Sequence, residues 1–279
     1  MDKRTILLTG IPRSGTTLCC HLLNQVPNTI ALHEPISSQD LKALPEGLAI
    51  HAITDFGISA RHQAFTSRVV KTKQLDGMIP SNPVNFDHGR LREEQVSLGI
   101  MEITKPLSED FTLVIKHNAL FTALLSSLIR RFPCYAIVRN PLATLASWQT
   151  VNLPIHEGHV PMGEQFDMAL QSDLGRLETG LDRQLCIMRW FYKSFSRNLS
   201  QEKIIRYEDI IDSNGNALLQ LLDESIDYKT SLEKQNNSKP YRGLDINLLM
   251  NRLLQETDIY EGFYTTEDIK ILADEMFDL

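Results

Sequence analysis

Residues Thr5 to Leu18 read TILLTGIPRSGTTL. The apolar run Ile6 to Leu8 stops at Gly10, as a strand buried on both faces would. From Ser14 onward Leu18, His21, Leu22 and Gln25 recur at helical spacing, and Pro27 ends that helix. Strand, glycine-bounded turn and helix open an α/β unit. The same order returns downstream. TLVI (Thr112 to Ile115) precedes Leu120, Leu124, Leu125, Leu128 and Ile129 at helical spacing, and YAIV (Tyr135 to Val138) precedes Leu142, Leu145, Ala146 and Trp148. KIIR (Lys203 to Arg206) is a fourth strand, and Thr29 to Leu32 a short fifth. Strands alternating with helices predict a parallel sheet with right-handed crossovers, flanked by helices, with ligands at the carboxyl ends of the strands.

The 279 residues, 42% of them hydrophobic, suffice for one sizeable core, and a single domain over 1–279 is expected. The stretch from Glu34 to Asp110 is less periodic and predicts helices and long loops over the sheet edge, a lid for an acceptor. Residues 227–240, DYKTSLEKQNNSKP, are polar and expected to form a mobile loop. Two helices, near Leu244 to Gln255 and Thr266 to Met276, close the chain. Trp190, Phe191 and Phe195 are spaced like core residues on one helix.

A formal net charge of −7 disfavours general nucleic-acid binding, so any anion must be met by a local basic site. The four cysteines, Cys19, Cys20, Cys134 and Cys186, show no CxxC spacing and read as thiols in a reducing compartment. No apolar run approaches a membrane span and no signal-peptide pattern precedes the first strand, so a cytoplasmic protein without a membrane partner is expected.

The strand ends carry the chemistry. The first is followed by Gly10-Ile-Pro-Arg-Ser-Gly-Thr-Thr17, the second by Lys116-His117-Asn118, the third by Arg139-Asn140-Pro141, and the fourth by Arg206-Tyr207-Glu208-Asp209. Basic side chains recurring on one rim point to a polyanionic ligand. The G-x-x-x-x-G spacing lets backbone N–H groups turn around an anion, and the helix that follows adds its positive end. A Walker loop needs Lys after its second glycine, where this chain has Thr16, and an Asp at a neighbouring strand end to hold Mg²⁺. The other strands end in Lys116, Arg139 and Arg206, which disfavours an ATP kinase.

Three segments in order resemble the sulfotransferases that use 3′-phosphoadenosine 5′-phosphosulfate (PAPS). PRSGTT resembles that family's 5′-phosphosulfate loop. RNPLATLAS, with Arg139 and Ser147 eight apart, resembles its 3′-phosphate motif. RYEDI resembles its YED segment, whose Tyr lies near the adenine. Arg13 in place of Lys, Leu18 in place of an aromatic residue, and Lys116-His117 in place of Lys-Thr-His make the chain more similar to the tyrosylprotein and bacterial branch than to the cytosolic small-molecule branch.

The resemblance implies sulfuryl transfer from PAPS to an acceptor hydroxyl or amine, leaving PAP, with no metal. It implies a donor site of Arg13, Ser14, Gly15, Thr16, Thr17, Arg139, Ser147 and Tyr207, with Arg242 of Pro240-Tyr241-Arg242-Gly243 as a further contact. Arg13 and Lys116 are expected to stabilise the leaving oxygen. Two candidates remain for the base: Glu34, at the distance beyond the loop where the tyrosylprotein branch carries a catalytic Glu, and His117, adjacent to Lys116; Glu34 is favoured. The acceptor's class, a small molecule, sugar or peptide hydroxyl, is open. A P-loop kinase with an atypical loop and a non-catalytic nucleotide-binding protein remain as alternatives. The HxxH of His156 and His159 lies in a Pro- and Gly-bounded loop and reads as surface or acceptor contact rather than a zinc site.

Overall fold

A computed structural model describes residues 4–85, 91–222, 231–233, 241 and 243–277. The elements run β1 (Thr5–Gly10), α1 (Thr16–Leu23), β2 (Thr29–His33), α2 (Glu46–Thr66), β3 (Val69–Gln74), β4 (Ser97–Glu102), β5 (Thr112–Lys116), α3 (Asn118–Ala123), α4 (Leu125–Leu128) and β6 (Cys134–Val138). They continue with α5 (Pro141–Trp148), α6 (Pro161–Phe166), α7 (Met168–Gly175), α8 (Gly180–Asn198), β7 (Ile204–Arg206), α9 (Tyr207–Asp212), α10 (Ile246–Gln255) and α11 (Thr266–Phe277).

Five strands form one parallel sheet in the order β2-β5-β1-β6-β7, with helices between them. β1 is central, and all six of its residues are buried, as its unbroken apolar run requires. The chain leaves β1 toward β2 on one side and later returns to β6 on the other. The β1 loop therefore lies at the reversal of strand order, where open α/β sheets take ligands. Gly10 is required there: a Cβ would meet Thr16 Cγ2 at 2.6 Å and the Ile137 carbonyl at 2.7 Å.

Sequence signals set several helix ends. Asn140 caps α5 by accepting the Leu142 N–H, and Pro141 follows in the first turn. Thr179 caps α8, which buries Phe191 and Phe195 completely, while Trp190 packs at the core's margin. The helix expected after TLVI is broken in two at Leu124.

The segment 34–110 contains more regular structure than its composition suggests. α2 lies across the sheet, where Gly57 approaches Thr5 and Ile115 closely. β3 and β4 form a separate antiparallel pair, absent from the sequence reading. Thr72 of β3 ties this pair to the main sheet: its hydroxyl accepts the His33 N–H at 2.8 Å. Most of the expected mobile loop 227–240 lies outside the described residues; only 231–233 are described within it. No helix among the described residues is long and apolar enough to cross a membrane.

Candidate functional site

The carboxyl ends of β1, β2, β5 and β6 open into a cleft of about 880 Å³, with Arg13, Gly15, Thr16, Thr17, Glu34, Lys116, His117, Arg139 and Tyr207 among its lining residues. The sequence thus named most of the groups that the fold gathers. It did not anticipate their grouping into two clusters.

The first cluster is built of guanidinium groups. The loop bends at Arg13, φ +70°, and the Arg13 Nε donates to Ser147 Oγ at 3.2 Å while Nη2 donates to Asn82 Oδ1 at 3.2 Å. Arg139, buried at the end of β6, donates to the Arg13 carbonyl at 3.2 Å and lies 4.7 Å above the Tyr207 ring. Arg92, only 3% exposed, reaches in from the segment before β4, donating to Ser147 Oγ and to the carbonyl and hydroxyl of Thr150. Burial, and after it Arg92 and Arg139, lower the Arg13 pKa to about 10. Burial pushes the Tyr241 hydroxyl up, yet Arg139, Arg92 and Arg13 together pull it below its ordinary value. Among the described residues, the hydrogen bonds of Arg13 and Arg92 run to the neutral oxygens of Ser147, Asn82 and Thr150. Cations taken out of water without counter-charges are expensive, and a bound anion is what offsets that cost.

The second cluster is an ion-pair network. Lys116, 2% exposed, donates to Glu34 Oε1 at 2.8 Å, and Lys73 of β3 lies 3.1 Å from Glu34 Oε2 and 2.8 Å from Glu94 Oε1. Burial alone would raise the Glu34 pKa, but the ammonium groups prevail, Lys116 foremost, and hold it well below the usual carboxylate range. Glu34 has φ +44°, a backbone region that a non-glycine residue adopts at some cost, and the Glu34 N–H bond to the Lys116 carbonyl at 2.8 Å accompanies it. Beside it, His33 Nδ1 stands 3.4 Å from Lys116 Nζ, and burial followed by the Lys116 charge keeps that imidazole neutral.

Several expectations need revision. Arg13 does not accompany Lys116; its guanidinium is bonded to Ser147 and Asn82, at the arginine end. Ser14 is fully buried with its hydroxyl on the Ile137 carbonyl at 3.0 Å, so its side chain is turned from the cleft. Ser147 is also fully buried, holding Arg13 and Arg92 from behind. His117 Nε2 accepts the Ile36 N–H at 3.2 Å, and burial foremost depresses its pKa to about 4. That nitrogen already uses the lone pair a base would need. Gly15, φ +86°, lies against Tyr207, where a Cβ would meet the ring at 2.5 Å. Tyr207 thereby joins loop and arginine in one packed unit. Arg242 lies outside the described residues. His156 Nδ1 faces the Trp148 carbonyl at 3.1 Å and His159 Nδ1 faces Glu164 at 3.2 Å, so each imidazole is engaged locally. Among the described residues no group of three His, Cys, Asp or Glu is placed to hold a metal.

No family model and no curated protein matches the chain. Among solved structures it is similar to sulfotransferase STF1 from Mycobacterium tuberculosis H37Rv, with a TM-score of 0.32 and 14% identity over 99% of this chain and 77% of that one. Sulfotransferase STF9 from Mycobacterium avium gives the same TM-score of 0.32 and 14% identity, over 100% of this chain and 77% of that one. Likeness at this level assigns no activity to the chain.

Proposed function

We propose that the chain is a sulfotransferase that carries a sulfuryl group from PAPS to an acceptor hydroxyl. One observation carries this reading: Arg13, Arg92 and Arg139 converge at one end of a cleft whose other end holds Lys116 and Glu34. A donor with anionic groups at both ends of a nucleoside suits that division. The loop after β1 supports it further, because the first-turn N–H groups of α1 have no acceptor within the helix.

In this reading Arg139, Arg92 and Arg13 hold the 3′-phosphate, and guanidinium geometry favours that contact over an ammonium. Gly15, Thr16 and Thr17 hold the 5′-phosphosulfate. The donor supplies a sulfuryl group on a bridging oxygen. Transfer breaks that S–O bond, leaves its electron pair on the phosphate oxygen, and forms a new S–O bond to the acceptor oxygen, which gives up its proton. Lys116 meets the charge growing on the leaving oxygen, where a cation contributes most in the transition state. As Lys116 turns toward that oxygen, it draws away from Glu34 Oε1, and the freed carboxylate receives the proton. In the resting site Glu34 is held below its ordinary pKa, so its basicity depends on that exchange.

The test is a calorimetric comparison of PAP, adenosine 5′-phosphosulfate and ATP with Mg²⁺, followed by turnover of labelled PAPS. PAP is expected to bind at least tenfold more tightly than the analogue lacking the 3′-phosphate, the worth of one charge-assisted hydrogen bond or more. Equal affinities, or Mg²⁺-dependent ATP turnover, would refute the assignment.

A further inference from the structure

The acceptor end of the cleft has a chemistry of its own. Ile36 follows β2, Leu98 stands on β4, Leu153 and Ile155 border the turn after α5, and Val160 and Met162 enter α6. α6 sits on the start of α3, immediately beyond Lys116 and His117: a Cβ at Gly163 would lie 3.5 Å from the Ala119 Cβ. Leu98 is 39% exposed, and Ile100, two residues on and on the same face of β4, is 58% exposed. The apolar wall therefore continues outward from the reacting groups along β4.

Charge at this end is already neutralised. Lys116 and Lys73 are paired with Glu34 and Glu94, and the arginines belong to the opposite end. Glu233, also lining the cleft, is acidic. Of the polar side chains, His159 is engaged by Glu164 and Arg183, and Ser37 accepts the Gln39 N–H. At this end of the cleft, His33 Nε2 and Asn118 Oδ1 are buried polar atoms with no hydrogen-bond partner among the described residues. With Lys116 facing His33 Nδ1, the lone pair is at Nδ1 and the N–H at Nε2. His33 Nε2 and Asn118 Oδ1 are both buried beneath the cleft surface, so neither adds a contact for a row of ligand hydroxyls. A saccharide would lay ring hydroxyls against this apolar wall, and an acidic peptide would meet the Glu34 and Glu94 carboxylates beside lysines already paired with them.

Resting on the donor reading above, we infer that the acceptor is an alcohol or phenol on an apolar body. The hydroxyl lies between Lys116 and Glu34, and the body extends over Leu98, Val160 and Met162. Its oxygen forms the new S–O bond, its proton passes to the Glu34 carboxylate, and the product is an apolar sulfate monoester with PAP.

The experiment supplies labelled PAPS with 1-decanol, 4-nonylphenol, maltose, or a tyrosine peptide flanked by Asp and Glu, and measures PAP binding on the same protein. The two apolar acceptors should be sulfated at least about tenfold faster than the disaccharide or the peptide. Met162→Glu and Leu98→Glu, which bury or approach a charge on the apolar wall, should each cut that transfer at least about tenfold while PAP binding is kept. Faster sulfation of the peptide or sugar, no sulfation of either apolar acceptor, or indifference to both substitutions would overturn the inference and leave the donor reading standing. Failure to bind PAP would bring down the donor reading, and this inference with it.

Discussion

At one end of the cleft, Arg13 and Arg92 are bonded to hydroxyl and amide oxygens; at the other, Lys116 and Lys73 each lie within 3.1 Å of Glu34. Both ends bury cations beside the same parallel sheet, but among the described residues Lys116 and Lys73 pair directly with carboxylates whereas Arg13 and Arg92 meet neutral oxygens, and Glu208 acts on Arg139. The difference separates binding from chemistry. Arg13 and Arg92, bonded to neutral oxygens among the described residues, wait for an external anion and change little when that anion arrives. A lysine end that is already paired must exchange partners to act, and an exchange is what a transferring group requires. Substitutions at the lysine end should therefore change rate more than affinity, and those at the arginine end affinity more than rate.

The largest effect expected is on turnover at the lysine end. Lys116→Ala should lower kcat by roughly 10²–10³ with PAP affinity changed far less, the usual loss when one group stabilising a developing oxyanion is removed. Glu34→Gln should slow transfer by roughly 10²–10⁴ while preserving PAP binding. Single-turnover kinetics with labelled PAPS, beside PAP calorimetry, measures both. If either substitution weakened PAP binding as much as it slowed transfer, the two ends would not differ in the way described.

Acid should distinguish the ends next, through stability. His117 titrates near 6.5 in an unfolded chain and at about 4 in the fold. Between those values the unfolded chain binds more protons, so stability is present in full above about 6.5 and is lost as pH falls toward about 4. The full shift corresponds to about 3 kcal/mol for His117. His33, also depressed, adds in the same direction. Urea unfolding at pH 7 and pH 4.5 should show the loss. His117→Gln, which keeps an acceptor for the Ile36 N–H and cannot titrate, should reduce the slope. An unchanged slope would mean that His117 is not the group being protonated.

Arg92→Ala comes third. It removes a guanidinium from the arginine end and should weaken PAP binding by about 1.5–3 kcal/mol, with little change for the analogue lacking the 3′-phosphate. Inorganic phosphate or sulfate should raise the melting temperature of the parent and do so less for this variant, since an anion bound only by the folded state stabilises it. Equal anion stabilisation in parent and variant would remove Arg92 from the binding role.

Arg92 also marks the limit of what the sequence discloses. The sheet was legible because β1, β5 and β6 are short apolar runs, each followed by helical spacing, and because Lys116 and Arg139 follow those runs directly. Local order in the chain became local order in space. Arg92 lies in LREEQ, a polar run indistinguishable from a solvated turn; it is buried because its guanidinium meets Thr150, 58 residues away. Lys73 and Glu94 are brought to Glu34 by the β3–β4 pair, whose strands are joined by 22 residues without a turn signal that fixes their register. Tyr241 stood beside Arg242 in a faint motif, but its place among the arginines depends on three segments meeting. Arg13 was misassigned for a related reason: loop sequence gives a residue's position, while the φ of +70° and Asn82 decide where its side chain goes. Only the alternation of Val70 and Thr72 as inward residues of VVKTKQ hinted at a strand that would leave Lys71 and Lys73 on its other face.

The smallest effect expected concerns Tyr207, where the arginine end meets the phosphate loop. Its ring fills the space that a Gly15 side chain would occupy and lies 4.7 Å beneath the Arg139 guanidinium. Both contacts use the ring; neither uses the hydroxyl. Tyr207→Phe should therefore alter PAP affinity by less than about 1 kcal/mol. Tyr207→Ala removes the surface that positions Arg139 and the loop together, as well as the contact near the adenine that the family resemblance implies, and should cost more, about 1–3 kcal/mol by the scale of aromatic stacking on a base. The ring's two possible contributions separate with the ligand: loss of an adenine stack weakens adenosine and PAP alike, whereas loss of Arg139 positioning weakens PAP and spares adenosine. If Tyr207→Ala leaves both affinities at the parent value, the ring serves only to pack Gly15, and the arginine end holds its shape without it.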